Sequence, residues 1–150
     1  MLYFWRQDSG TSDLSRDKKL YFADPLLHTL ALTGAPGLTA DQPAAVENLT
    51  ALALLRAVTS RAELADAFND PTALHVWGTR SGGEIDFVCG PRGRAAAVEV
   101  AYQRSPDRRK AAALPKAFPG RPCFMVTRDA LEWHERYALV PAALLLWALG

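Results

Sequence analysis

Apolar and polar positions change period along the chain, and the changes mark its elements. Leu2 to Trp5 is a short aromatic run suited to a strand or a buried lead-in, and the polar stretch Gln7 to Lys19 behind it reads as a loop. After the brief apolar run Lys19-Leu20-Tyr21-Phe22, Asp24-Pro25 offers an N-cap followed by proline at the first helical position, which starts a helix over Pro25 to about Leu32. Gly34, Pro36 and Gly37 end it. Thr39-x-x-Gln42 is a capping box, and its helix runs to about Thr59. The apolar residues Val46, Leu49, Leu52, Ala53, Leu54, Leu55 and Val58 spread widely around that helix, as expected if it is buried on more than one side.

The period then shortens to two. Leu74 to Thr79 and Glu84 to Cys89 read as strands joined by the Gly-containing hairpin Arg80 to Gly83. Gly90-Pro91-Arg92-Gly93 makes a further turn, and Ala95 to Tyr102 is the third strand of a meander. A basic helix over about Asp107 to Phe118, a strand over Pro122 to Thr127 and a helix from Pro141 complete the chain. The order helix, helix, three strands, helix, strand, helix predicts an α/β fold with a mixed β-sheet flanked by helices.

The 150 residues match one domain of ordinary size, and 49% hydrophobic with 22% charged residues is a composition that folds. Cys89 and Cys123 stand in apolar runs without metal-ligand spacing, so buried free thiols are expected. His28, His75 and His134 show no ligand spacing either. The N-terminal Met-Leu-Tyr-Phe-Trp-Arg lacks the basic and apolar regions of a secretion signal, and Asn48-Leu49-Thr50 falls inside a helix, so it reads as a chance match to the glycosylation pattern. Ala138 to Leu149, the most apolar stretch, is twelve residues long and holds Pro141; spanning a bilayer takes roughly 18 to 20. It reads as a core helix, with no membrane partner and a cytoplasmic location.

Net charge is +1, yet Arg92 to Arg128 carries nine basic residues against Glu99 and Asp107. That asymmetry makes Arg104, Arg108, Arg109 and Lys110 the candidate nucleic-acid contacts, set against the plainer reading of a solvated helix face.

Three acids are out of place. Glu47 heads the helical line shared with Ala51, Leu54 and Val58, which turns its carboxylate inward, where it needs a partner, a proton or a metal. Strict alternation puts Glu84, Asp86 and Val88 on one face of their strand, opposite Ile85 and Phe87, and sets Ala97, Glu99 and Ala101 together on the next. Asp86 and Glu99 are thus expected on one face of neighbouring antiparallel strands, projecting toward Glu47. Carboxylates so placed repel one another unless a proton or a divalent cation neutralises them.

An Asp on one strand and Glu-x-Lys on the next resembles the PD-(D/E)XK nuclease superfamily; here the matching residues are Asp86 and Glu99-Val100-Ala101. More specifically, Lys19-Leu20-Tyr21-Phe22-Ala23-Asp24, Glu47-Asn48-Leu49, the run Trp77 to Val88 and Val98-Glu99-Val100 resemble the C-terminal domain of a large family of bacterial and archaeal AAA-type ATPases. The likeness runs from about Leu20 to the end, including Val140-Pro141-Ala142. It implies a restriction-endonuclease-like core over residues 1–150, with Glu47, Asp86 and Glu99 as the catalytic acids. It also implies Mg²⁺ held at Asp86, Glu99 and Val100, provided that the site survives.

Two departures qualify what the resemblance implies. No Gly-x-x-x-x-Gly-Lys-Ser/Thr occurs, so the chain holds no ATP site of that kind and the ATPase module is absent; the chain reads as a fragment or a free-standing remnant. The position two after Glu99, lysine in the pattern, is Ala101, and Gln103 cannot supply the charge. Arg104, Lys110 or Lys116 would have to reach in instead. The leading expectation is therefore a catalytically impaired accessory domain that binds nucleic acid or a protein, such as an ATPase module or a second copy of the chain. Its rivals are an active Mg²⁺-dependent endonuclease with a relocated basic residue and a structural or oligomerisation module built on Leu2 to Trp5 and Leu144 to Leu149.

Overall fold

The computed structural model describes residues 3–6, 11–13, 19–24, 27, 42–59, 74–78, 83–90 and 95–150. Among them, strands β1 (Tyr3–Arg6), β2 (Thr11–Asp13), β3 (Leu74–Gly78), β4 (Glu84–Cys89), β5 (Ala96–Ala101), β6 (Cys123–Thr127), β7 (Glu132–Trp133) and β8 (Ala138–Pro141) form one sheet. Its order is β2-β1-β3-β4-β5-β6-β8-β7. The helices are α1 (Gln42–Thr59), α2 (Arg108–Ala117) and α3 (Ala142–Leu149). The helix expected over Pro25 to Leu32 lies outside the described residues except Leu27, as do Thr39 of the capping box and the turn residues Arg80 to Gly82.

The sheet is mixed. β3, β4 and β5 form the antiparallel meander, whereas β5 with β6 and β6 with β8 run parallel. Parallel neighbours need a crossover, and α2 supplies the one between β5 and β6. On one face, Ala51 and Leu54 of α1 pack with Val76, Phe87, Val98, Val126 and Ala142. On the other, Leu114 and Phe118 at the end of α2 cover Ile85, Val88, Ala97 and Cys123, while Ala111 covers Met125 and Leu139. The result is an α/β/α layering with apolar cores on both sides of the sheet.

Three sequence expectations change. The polar stretch Gln7 to Lys19 contains β2, held by pairing with β1 (Phe4 opposite Asp13) although Thr11-Ser12-Asp13 has no apolar period. Pro141 divides the run Ala138 to Leu149 into β8 and α3: its fixed φ closes the strand, and its missing N–H is no loss at the start of a helix. α3 is a core helix on one side only: Ala142 is buried and Leu145 and Leu149 pack against the α1-side core, whereas Leu144 and Trp147 are exposed. No helix among the described residues is long and apolar enough to cross a membrane. Cys123 is buried and Cys89 half-buried, both as free thiols; burial pushes the Cys89 thiol up to about 11.

Candidate functional site

The meander does not keep strict alternation, and the break falls at Asp86. His75 and Trp77, two apart on β3, pair with Val88 and Ile85, three apart on β4, so β4 carries an extra residue there. This is a β-bulge. Ile85 and Val88 consequently face α2 together, while Phe87 faces α1. The ladder between β4 and β5 ends at Phe87 opposite Val98; beyond it, the Asp86 carboxylate replaces a ladder carbonyl, its Oδ2 accepting from the Val100 N–H at 2.8 Å.

The other oxygen of Asp86 belongs to a lysine. Lys19 Nζ donates to Asp86 Oδ1 at 3.2 Å and to Glu47 Oε1 at 3.2 Å, and it forms an ion pair with Glu84. One ammonium thus serves three carboxylates. Burial works to lower the Lys19 pKa, but the hydrogen bond to Glu84 and the fields of Asp86, Glu47 and Glu84 outweigh it and hold the group well above its ordinary value. Asp86 is raised, chiefly by burial, with the Val100 N–H opposing the shift, Glu47 adding to it and Lys19 opposing. Tyr21 Oη donates to Glu47 Oε1 at 2.7 Å, and burial together with that bond raises the phenol.

Glu47 and its neighbour Asn48 therefore act as a clamp on residues 19–22. Asn48 accepts from the Phe22 N–H at 2.8 Å and donates back to the Phe22 carbonyl at 3.1 Å, pairing with that backbone as another strand would. The Tyr21 ring completes the contact, 5.6 Å from Phe87. Asn48 is only 3% exposed, and its amide is engaged on both sides, which closes the glycosylation match.

Glu99 lies elsewhere. It shares a face with Ala97 and Ala101, as alternation predicts, but that face packs on α2. Lys110, in the first turn of α2, donates to Glu99 Oε1, whereas Oε2 is buried without a hydrogen-bond partner. Burial raises the Glu99 carboxyl to about 7; the Asp86 charge adds to the shift and Lys110 opposes it. The helix presents Lys110 there at some cost. Arg108, Arg109 and Lys110 crowd an N-terminal turn that contains no acid, where the helix dipole disfavours cations. Asp107 offsets this by capping the N–H groups of Arg109 and Lys110, and Glu132 by binding Arg108.

The expected convergence of Asp86 and Glu99 toward the helix bearing Glu47 is thus corrected. Asp86 turns with Glu47 and Lys19 toward α1, and Glu99 turns toward α2; the bulge at Asp86 separates them. Both oxygens of Asp86 are engaged, one by Lys19 and one by the Val100 N–H. As placed, Glu47, Glu84 and Asp86 meet the Lys19 ammonium, and Glu99 meets that of Lys110. Val100 contributes its N–H to Asp86.

Of the basic candidates, Arg108 pairs with Glu132 and Lys110 with Glu99; Arg104 and Arg109 are exposed. Trp77 packs edge-on against Phe118, and Tyr102 lies against the α1-side core. Lys19, Tyr21 and Glu84 are the site residues that sequence reasoning missed. No spacing rule joins Lys19 to partners 28 and 67 positions away. The available signal was that Lys19 and Tyr21 sit within one of the segments carrying the resemblance.

Compared with models of protein families, with curated proteins and with solved structures, the chain matches none.

Proposed function

We propose that this chain is a restriction-endonuclease-like accessory domain, similar to the C-terminal domain of AAA-type ATPases, which binds nucleic acid or a protein partner and does not cut phosphodiesters. The observation that carries the reading is the Lys19 ammonium shared by Glu47, Glu84 and Asp86. A lysine so held offsets part of the acids' charge from within the chain and ties residues 19–22 to α1 and β4. Mg²⁺ binding would require Lys19 to leave. The fold supports the reading only at the level of helix, antiparallel meander, crossover helix and parallel strand.

Calorimetric titration with Mg²⁺ and Mn²⁺ tests it, alongside a cleavage assay on single- and double-stranded DNA and RNA. The expected result is no heat of specific binding and no metal-dependent cleavage. Cleavage that needs Mg²⁺ and disappears in Asp86→Asn would overturn the proposal.

One observation favours a second reading, an active Mg²⁺-dependent endonuclease in which Lys110 takes the role of the missing lysine. Lys110 sits on Glu99, whose other oxygen is buried and unpartnered. Under that reading Lys110→Ala abolishes cleavage while Arg109→Ala does not.

A further inference from the structure

A second candidate site lies far along the chain from the acids. The loop after α2 and the turn between β7 and β8 enclose an open cleft of about 590 Å³. Its size suits a small ligand or one unit of a polymer. Trp133, on the two-residue edge strand β7, lines it with its side chain 80% exposed, an unusual situation for the largest apolar side chain. Beside it the His134 and Tyr137 rings stack at 4.3 Å with 19° between their planes. That pair is fixed: the His134 N–H donates to the Tyr137 carbonyl at 3.0 Å, and the His134 ring nitrogen lies 3.3 Å from Glu132, itself bound by Arg108.

The charge of the cleft is positive. Arg121 and Arg136 line it against Glu135, and Lys116 borders the smaller cleft on the other side of the same turn. Flat aromatic surfaces beside guanidinium groups recognise a planar heteroaromatic ring carrying an anion. A solvated aliphatic peptide would use neither feature, and a duplex hides its base faces.

We infer that the cleft between the end of α2 and the β7–β8 turn binds a nucleotide unit, its base stacked on Trp133 and its phosphate held by Arg136. The unit is part of a single strand or a free nucleotide. The inference names one partner class for the accessory domain proposed above, but the cleft shares no residue with the Lys19 or Glu99 clusters. Its failure and theirs are therefore distinguishable.

The test is fluorescence anisotropy of a labelled oligothymidylate twelve-mer across a salt series, with unlabelled AMP and a duplex of equal length as competitors. Trp133→Ala should weaken binding by about 10-fold or more, and Trp133→Phe by less, because a single stacked base contributes on that scale. Arg136→Glu should reduce the slope of log affinity against log salt by about 0.7, the loss of one single-strand phosphate contact. Competition by AMP at concentrations comparable with the oligomer identifies the free nucleotide as the source; failure of AMP to compete identifies the strand. No binding of either ligand, unchanged binding in both the Trp133 and Arg136 variants, or preference for the duplex would overturn the inference. Thermal melts of the variants check that each is folded, which the exposure of both side chains leads us to expect.

Discussion

Lys110, in the first turn of α2, donates a hydrogen bond to Glu99 in the middle of β5, eleven residues earlier in the chain. The bond spans the crossover and joins a half-exposed ammonium to a carboxylate that is almost wholly buried. Glu99 gains a partner for one oxygen only. Its environment still favours the neutral acid.

This asymmetry makes stability pH-dependent. Glu99 titrates at about 7 in the folded protein against an ordinary 4.5, so between these values the native state holds a proton that the unfolded chain has released. The contribution is full below about 4.5, declines as pH rises through that window and is lost above about 7. Urea unfolding at pH 5 and pH 8 should therefore differ on the order of 2 kcal/mol, with the acid condition more stable. Asp86, also raised, acts in the same direction. Glu99→Gln should flatten most of the slope; an unchanged slope in that variant would refute the assignment to Glu99.

Removing the ammonium should hurt only where Glu99 is charged. Lys110→Ala is expected to cost about 1 to 2 kcal/mol at pH 8 and little at pH 5, where Glu99 is protonated with or without a partner. Glu99→Gln in the Lys110→Ala background should recover most of the loss at pH 8. A loss of equal size at both pH values would instead mark the packing of the lysine stem as the cause.

Lys19 has the opposite problem, one cation among three acids. Lys19→Met should expose Glu47, Glu84 and Asp86 to one another, lowering the melting temperature and raising the affinity for Mg²⁺ and Mn²⁺ above that of the wild type. Added Mn²⁺ should restore part of the lost melting temperature in the variant and leave the wild type unmoved. Equal response of the two proteins would show that Lys19 does not close the acids.

Asn48 is predicted to matter more for stability than its neighbours on α1. Asn48→Ala removes both hydrogen bonds that Asn48 makes to the Phe22 backbone and should cost about 2 to 3 kcal/mol in chemical denaturation. Asn48→Asp keeps the acceptor but loses the donor, so an intermediate cost is expected. Protection of the Phe22 amide from hydrogen exchange should fall in both.

The sequence alone determined the frame: apolar period two over Leu74 to Cys89 and Ala95 to Tyr102 for the meander, Asp107 for the start of α2, and an α/β order of elements. Those features are local, set by side-chain periodicity and by capping groups within a few residues of the backbone they satisfy. It also marked Glu47, Asp86 and Glu99 as acids in need of partners, because a carboxylate at an inward position carries that requirement wherever it occurs. Which partner meets the requirement was decided by tertiary structure. A single extra residue in β4 turned Asp86 away from Glu99, an ammonium arriving from Lys19 reached it across 67 positions, and the crossover brought Lys110 over β5. Bulges depend on pairing with a neighbouring strand, and ion pairs between distant positions depend on how the layers stack. Neither leaves a period in the sequence, so the acids were legible while their pairing was not.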